Sequence, residues 1–575
     1  MDYKQRASAW LADPAIDETT KQQIRALASE PKELEDCFYR DLEFGTAGMR
    51  GVIGAGTNRM NRYMVRKATA GLASFLQEQG EAVCQKGVAI AYDSRRFSED
   101  FARETAEVLC AAGIHAYLYE SLRPVPMLSF AVRELGCAAG VIITASHNPK
   151  QYNGYKVYGP TGGQMEPEDA DRVTAYIERI ENLGSIQRME LAEAEKEGCL
   201  TWLGAELDDR YFARVKTVSL RPEVFGQVDK DFRVVYTPLH GSGSMPVQRA
   251  LREAGVKGLA VVQEQAQPDP DFSTVRVPNP EEGDALKMAM ALADREGADL
   301  CVGTDPDCDR MGLAVRDSQG GWRLLTGNQT GCILLNYILT ARKLAGKLPE
   351  NGAAVRSVVS TRMSDAIAAA FGVEMFTVLT GFKFIAGKIA EFEKTGSHQY
   401  LFGFEESFGY MAGPFVRDKD AVQASLLAVE AAAYYRMQGK TLLDALYELY
   451  EQYGYYLEGV KNFAFAGKEG MEKIAGIMTA LRDNPPKELA GRRVLALRDY
   501  KRLVRITEGG EEAMEPPATN MLYFEIEGDQ SFIIRPSGTE PKIKLYFGVR
   551  ECSEEKAKAC LDALIDDVVM RYMQA

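Results

Sequence analysis

Short apolar runs that end abruptly in polar turns bearing Gly or Pro recur along the chain. Residues 88–92 (VAIAY) lead into Asp93-Ser94-Arg95, residues 141–143 into TASHNP (144–149), and residues 234–236 into TPLHG (237–241). Residues 300–302 run into GTDPDCDR (303–310), residues 400–402 into GFEES (403–407) and residues 532–534 into RPSGT (535–539). Runs that are apolar on both faces suit strands buried in parallel or mixed sheets. Stretches of helical period lie between them, such as residues 98–112 and 283–295, so the pattern predicts α/β domains with mixed sheets. In such sheets ligands gather at the carboxyl ends of strands, where these turns lie.

Near the end the pattern changes. From about Leu457, strands are expected near residues 459–465, 493–497, 521–526 and 532–534. A closing helix follows: Ser553 can cap it, Glu554 and Glu555 suit its first turn, and Leu561, Leu564, Ile565, Val568 and Val569 share one face. Residues 508–519, with Gly509-Gly510 and Pro516-Pro517, read as a mobile loop. Candidate boundaries fall at the charged stretch 190–198 with the helix-like 207–220, at Gly320-Gly321, and at residues 450–454.

At 575 residues the chain is too long for one core, and several domains are expected. With 68 basic and 82 acidic residues the net charge is −14, which disfavours non-specific binding to nucleic acid or anionic membrane. An anionic ligand would need its own cluster of Lys, Arg and backbone N–H groups. No stretch approaches the roughly 20 apolar residues that span a bilayer, and the first residues lack an apolar core of signal-peptide length. The expectation is a soluble, cytoplasmic protein. Ten scattered cysteines without a CxxC pair then read as reduced thiols.

Each turn admits a chemical and a plain reading. Asp305, Asp307 and Asp309 place three carboxylates at alternate positions after a strand. They either bind a hard cation, Mg²⁺ or Ca²⁺, or form a solvated acidic turn. An EF-hand is excluded, because Arg310 and Arg316 stand where Gly and the bidentate Glu are required. Ser146 beside His147 offers a hydroxyl next to an imidazole, but Thr144 and Asn148 occupy the Gly positions of a nucleophile elbow. Asn153-Gly154-Tyr155-Lys156 brings a cation nearby in sequence. Arg535, Ser537, Gly538 and Thr539 combine a guanidinium, two hydroxyls and a Gly that lets backbone N–H groups converge, as a phosphate nest or as an ordinary turn. FGTAGMRG (44–51) has the same character, with Arg50 as its charge. Residues 381–388 fail as a Walker loop: the spacing is one residue too long and Ile389 replaces Ser or Thr. Glu405-Glu406-Ser407 suits sugar hydroxyls, which both donate and accept, or forms a solvated loop.

Taken together, TASHNP, GTDPDCDR, GFEESFG and RPSGTEPKIK resemble, in this order, the phosphoserine, metal, sugar and phosphate loops of the α-D-phosphohexomutases. FGTAGMRG, TPLHG and TGFK match further family positions, and the resemblance runs from about residue 40 to residue 550. FGTAGMRG and the EES sugar loop are most similar to the phosphoglucomutase/phosphopentomutase branch. The Phe404 between Gly403 and Glu405 departs from the commonest sugar loop and bears on which sugar is preferred.

The resemblance implies three related α/β domains (1–213, 214–326 and 327–455) plus a smaller C-terminal α+β domain (456–575), lining a central cleft. It implies that Ser146 is phosphorylated, and that Asp305, Asp307 and Asp309 hold Mg²⁺ with a phosphoserine oxygen. Glu405 and Ser407 would bind sugar hydroxyls, and Arg535, Ser537, Gly538 and Thr539 the phosphate that is not being transferred. Arg50, His147, Lys156, Arg310 and Lys383 would surround the transferring group. The implied activity interconverts sugar 1-phosphate and 6-phosphate, with glucose as the main reading, through a sugar 1,6-bisphosphate that is both intermediate and activator. Alternatives are a phosphopentomutase or phosphomannomutase, and further off a metal-dependent sugar phosphatase or a bisphosphate synthase. The partner is a phosphosugar, with no nucleic acid and no membrane; the oligomeric state is not read from the sequence.

Overall fold

A computed structural model describes residues 2–574 apart from 46–47, 466, 516 and 538–541. The chain forms two compact units, one of residues 1–355 with 381–443 and one of residues 356–380 with 444–575.

The first unit opens with helices Tyr3–Ala12, Glu18–Ala26 and Pro31–Phe38, which the apolar-run pattern did not predict. Asp2 and Gln5 form a reciprocal capping box at the first. Trp10 packs edge-on against Phe38 and Tyr63, which ties these helices to the domain behind them.

Six strands then make the first sheet: β1 (Gly48–Val52), β2 (Val88–Tyr92), β3 (Ala116–Tyr119), β4 (Ala139–Ile143), β5 (Tyr152–Tyr158) and β6 (Leu200–Leu203). Their order is β1-β5-β4-β2-β3-β6. β2 and β4 are buried at every residue, as expected of strands covered on both faces. Helix Arg62–Glu78 supplies one cover. Asn61 caps it by accepting from the N–H groups of Tyr63 and Met64, and Val65, Ala68, Leu72, Phe75 and Leu76 turn toward the sheet. Helix Ser98–Ala111 lies within one residue of the expected 98–112.

The second sheet contains β7 (Val234–Thr237), β8 (Leu259–Val261), β9 (Leu300–Thr304), β10 (Met311–Arg316) and β11 (Trp322–Leu325), in the order β11-β10-β9-β7-β8. Next along the chain come β12 (Gly352–Ser357), β13 (Glu374–Val378), β14 (Gln399–Glu405) and β15 (Gly409–Met411), of which β13 belongs to the second unit. β12, β14 and β15 are neighbours in that order.

One frame recurs. β2-β4-β5, β7-β9-β10 and β12-β14-β15 share the same order, and the third strand is antiparallel to the second in each. The turn between those last two strands holds TASHNP in the first case, the aspartate turn in the second and Glu406-Ser407-Phe408 in the third.

In the second unit, β16 (Tyr455–Ala464), β17 (Glu488–Leu489), β18 (Arg492–Asp499), β19 (Val504–Thr507), β20 (Gly510–Ala513), β21 (Leu522–Ile526), β22 (Gln530–Pro536) and β23 (Lys542–Glu551) are joined by antiparallel pairs. The order is β16-β23-β22-β21-β18-β19-β20, with β17 beside β18. Ile474, Met478 and Leu481 of helix Gly467–Asp483 and Leu564 and Val568 of helix Glu554–Tyr572 close its core over stacked Phe524, Phe532 and Phe547. Ser553 caps the last helix, as expected. The expected loop over residues 508–519 needs correction at 510–513, where β20 pairs with β19 in a tight hairpin. Gly510 at φ 128° faces Thr507 across the turn, and Arg505 reaches Glu512 across the strands at 3.1 Å.

Within the first unit, the segment after helix Ala205–Lys216 is fixed by one buried side chain. Glu430 accepts from the N–H groups of Leu220 and Arg221 at 2.9 and 3.0 Å, from Tyr337 OH at 2.8 Å and from Ser219 Oγ. Glu430→Ala leaves four donors without their acceptor in a buried site and should cost about 3 kcal/mol or more of stability. Urea unfolding checks this, and a loss under about 1 kcal/mol would show that the four bonds hold little.

Candidate active site

β4 ends at Ile143, and the turn that follows raises Ser146 into a left-handed conformation, φ 51°. Its N–H is held by Thr144 Oγ1 at 2.8 Å. Its own Oγ donates to Asp305 Oδ2 at 2.7 Å and lies 3.1 Å from His147 Nδ1, so TASHNP and the aspartate turn meet at this hydroxyl. His147 is pushed down to about 2 by burial and by the positive Arg310 beside it, which keeps the imidazole neutral. Arg50, on β1, donates to Asn148 Oδ1 at 3.2 Å.

The aspartate turn follows β9 and is stitched by its backbone to three other segments. Pro306 C=O accepts from the N–H and Oγ of Ser242, Asp307 C=O from Val125 N–H at 3.0 Å, and Cys308 C=O from Ala421 N–H at 3.2 Å. Gly241 of TPLHG lies so close beneath it that a Cβ would sit 2.4 Å from Pro306 Cα. His240 in the same loop bonds Thr274 Oγ1 at 2.8 Å and points to support of this loop.

Asp305, Asp307 and Asp309 are all buried, with one carboxylate oxygen of each within 4.8 Å of the others. Asp305 Oδ1 accepts from the N–H groups of Asp309 and Arg310. Asp307 Oδ2 receives Lys156 Nζ at 2.9 Å, and Asp309 Oδ2 receives Lys419 Nζ at 2.9 Å. Burial and the two neighbouring aspartates push Asp305 well above the usual carboxylate range. Burial would raise Asp307 as well, but Lys156 overrides it and holds Asp307 low. Asp307 Oδ1 and Asp309 Oδ1 are buried and accept no hydrogen bond. Two orphaned oxygens beside a third carboxylate, all hard donors, fit a divalent cation of the Mg²⁺ or Ca²⁺ kind.

The sugar-loop candidates adjoin this turn. Arg310 bridges to Gly409, Met311 N–H donates to Phe408 C=O at 3.0 Å, and Arg310 Nη1 binds Glu281 Oε1 at 2.6 Å. Glu405, at the end of β14, is buried and accepts from Gly381 N–H at 2.7 Å. Burial first, then the adjacent Glu406, pushes it up to about 7. Ser407 is half-buried in the turn between β14 and β15. Lys383 lies in the first turn of helix Phe382–Thr395, its ammonium 5.4 Å from the Phe384 ring centroid.

In the second unit, Arg535 stands on β22 directly opposite Lys544, and Ser537 N–H donates to Lys542 C=O at 2.8 Å. Gly538 and Thr539 lie outside the described residues.

Sequence reasoning missed Lys419, which also contacts Asp418 Oδ1 at 3.0 Å and leaves no room for a side chain at Gly409, and Asp418, which accepts from Tyr158 OH at 2.7 Å. It named Asp93-Ser94-Arg95 as a turn without assigning those residues a role.

The chain matches four family descriptions in succession: "Phosphoglucomutase/phosphomannomutase, alpha/beta/alpha domain I" over residues 41–184, domain II over 209–320, domain III over 326–453, and the C-terminal domain over 468–567. A phosphoglucomutase of Staphylococcus aureus (strain bovine RF122 / ET3-1) is 38% identical over 525 residues, 90% of this chain and 91% of that protein. One from Staphylococcus haemolyticus (strain JCSC1435) is 37% identical over 519 residues, 90% of this chain and 91% of that protein. Among solved structures, a putative phosphomannomutase from Thermus thermophilus shares the fold with TM-score 0.66 at 22% identity, covering 93% of this chain and 100% of its own. The open form of the Paramecium phosphoprotein pp63/parafusin gives 0.65 at 17% identity, covering 92% and 95%.

The chain therefore belongs to the phosphoglucomutase/phosphomannomutase family. Its activity is that of a phosphoglucomutase-type phosphohexomutase, an isomerase that relocates phosphate on a sugar. No described helix is long and apolar enough to cross a membrane.

The aspartate turn generates a direct expectation. The protein should take up one Mn²⁺ per chain, displaced by Mg²⁺, and Asp307→Asn or Asp309→Asn should each weaken it by about 10-fold or more. Titration followed by the Mn²⁺ paramagnetic signal tests this; wild-type affinity in both variants would remove the turn from consideration as the cation site.

Proposed function

We propose that Ser146 carries the phosphoryl group between the two sugar positions, with glucose phosphate as the preferred substrate and glucose 1,6-bisphosphate as intermediate and activator. The observation that carries this reading is the Ser146 hydroxyl placed 2.7 Å from Asp305 Oδ2 and 3.1 Å from a neutral imidazole, at the edge of the aspartate cluster. The sugar preference is supported by the names of the relatives at 37–38% identity.

In the forward step the free hydroxyl of a sugar monophosphate attacks the phosphorus on Ser146. The new sugar O–P bond forms, the Oγ–P bond breaks, and the proton from the sugar hydroxyl ends on Oγ. In the return step Oγ attacks the other phosphate of the bisphosphate, and its proton passes to the departing sugar oxygen. Lys156, Arg50 and Arg310 supply positive charge around the transferring oxygens, and His147 offers a neutral nitrogen to the serine hydroxyl. Asp305, Asp307 and Asp309, with a phosphoserine oxygen, would hold Mg²⁺, which as a Lewis acid neutralises charge on the transferring group.

Glu405 and Ser407 bind ring hydroxyls. Arg535, Ser537, Gly538 and Thr539 take the phosphate that stays in place; support comes from Arg535 and Lys544 standing as paired cations beside that turn. Lys383, one residue beyond Phe382 in TGFK, joins the charge around the transferring phosphate. The proposed domains are residues 1–213, 214–326, 327–455 and 456–575. A cytoplasmic location agrees with ten free cysteines.

Ser146→Ala should lower turnover by about three orders of magnitude or more while the folded state persists. Coupled assay of glucose 1-phosphate conversion, with circular dichroism as the folding control, decides the matter. Turnover near wild type in that variant would falsify the phosphoserine route.

The pH profile tests Glu405. Because its carboxyl titrates near 7, the form that accepts sugar hydroxyls fills as pH rises through that value. kcat/KM should therefore climb across this range, beyond the contribution of the substrate phosphate near pH 6. Glu405→Gln should lower kcat/KM by about 10- to 100-fold and remove the break near 7 while keeping the one from phosphate. A break that survives at 7 in the Gln variant assigns it to another group.

A further inference from the structure

Arg95 sits beneath the Ser146 loop in a position that no contact with sugar or phosphate would require. Its side chain is fully buried. Nη1 donates to the carbonyls of Pro149 and Tyr152, each at 3.0 Å, and Nη2 donates to those of Ser146 and Asn148, each at 2.5 Å. Nε lies 3.3 Å from Asp93 Oδ2, and the guanidinium stands 5.0 Å from the centroid of the buried Phe272 ring.

The partner carboxylate extends the grip. Asp93 Oδ2 accepts from Thr144 Oγ1 at 2.7 Å, and Thr144 Oγ1 accepts from Ser146 N–H at 2.8 Å. Asp93 Oδ1 is itself fixed by Arg95 N–H at 2.9 Å and Ser98 Oγ at 2.7 Å. Ser146 is thus held on both peptide groups: on its N–H through Thr144 and Asp93, and on its C=O by Arg95 directly.

Two physical points make this more than packing. A buried arginine–aspartate pair is weak as a source of stability, since the desolvation of both charges offsets their attraction. Here three of the four carbonyl acceptors of the side chain belong to the turn between β4 and β5 and the fourth is Tyr152, the first residue of β5, so what the pair secures is the shape of that turn. Ser146 also adopts a left-handed φ, which is unfavourable for a residue with a Cβ and persists where its surroundings over-determine it. Bonds to both of its peptide groups supply that constraint, and they determine where Oγ points.

We propose that Arg95 is a positioning residue for phosphoryl transfer, forking onto the carbonyls of residues 146, 148, 149 and 152 so that Ser146 Oγ stays aligned with the reacting phosphorus. The proposal rests on the reading of Ser146 as the phosphate carrier. Lysine cannot replace it fully, because an ammonium is a point donor and lacks the planar fork that reaches four separated oxygens.

The test uses Arg95→Gln, Arg95→Lys and, as a control, Arg96→Ala, whose side chain pairs with Asp271 at the surface. Single-turnover transfer of phosphate from glucose 1,6-bisphosphate to dephosphorylated protein is followed by quench and mass spectrometry at Ser146. The dissociation constant of glucose 6-phosphate is measured on the same preparations. Misplacing a reacting group by about 1 Å costs on the order of 100-fold. Arg95→Gln should slow transfer by about that factor, Arg95→Lys by about 10-fold, with sugar-phosphate affinity changed less than about 3-fold and Arg96→Ala at wild-type rate. Transfer at wild-type rate in the folded Arg95 variants overturns the proposal. So does a fall in rate matched by affinity, or a reduced fraction of phosphorylatable protein with an unchanged rate constant, which would mark a purely structural role. If Arg95→Gln does not fold, Arg95→Lys, which keeps the charge beside Asp93, decides by the same criteria. Wild-type protein that takes phosphate elsewhere than Ser146 overturns the phosphoserine reading, and the positioning role with it.

Discussion

Three buried carboxylates within 4.8 Å of one another impose the constraint that the rest of the first unit answers. At an effective dielectric of about 20, each pair of like charges at such separations repels by roughly 3 kcal/mol. The chain meets this with Lys156 from β5, Lys419 from the segment before helix Ala421–Arg436, and two backbone N–H groups turned onto Asp305. Neither lysine is a close sequence neighbour of the aspartates. Bringing them together requires the first sheet, the second sheet and the strands of the third to converge on one turn. The backbone of that turn is tied to the same three regions through Val125, Ser242 and Ala421.

The recurring order of the strands explains why the chemistry falls into separate short motifs. In each repeat the antiparallel return leaves a turn at the same place, and the three turns carry the Ser146 hydroxyl, a carboxylate cluster and the polar residues Glu406-Ser407. The central strands of the frame, such as β4 and β9, are buried at every residue and tolerate little besides apolar side chains. The turns are free of that restriction, so they differ in length and in the polar chemistry they carry.

Much of this is legible in the residues alone. Apolar runs such as residues 88–92 and 300–302 admit little besides buried strands, and the abrupt polar turn after each locates Ser146, the three aspartates and Glu405. The capped closing helix is equally plain from Ser553 and its apolar face. Lys419 is not legible, because it lies far along the chain from Asp309 in a stretch without hydrophobic period. Arg95 stands in a turn that the pattern marks, yet its role depends on four backbone carbonyls, and carbonyls are the same at every position of a sequence. The hairpin at residues 504–513 is hidden by Gly509-Gly510, which reads as loop until Arg505 and Glu512 are seen to face each other.

The ammonium groups on Asp307 and Asp309 have a consequence for exchange. A metal ion leaving a bare cluster of anions would have to climb out of a deep electrostatic well, and its departure would tend to unravel the turn. Here Lys156 and Lys419 are tethered counter-ions that cannot diffuse away, so the anionic charge left behind is already partly balanced. The turn is shaped by backbone bonds to Val125, Ser242 and Ala421 that no ion has to supply. A cation taken up there would meet a turn already shaped and an anionic charge already partly neutralised.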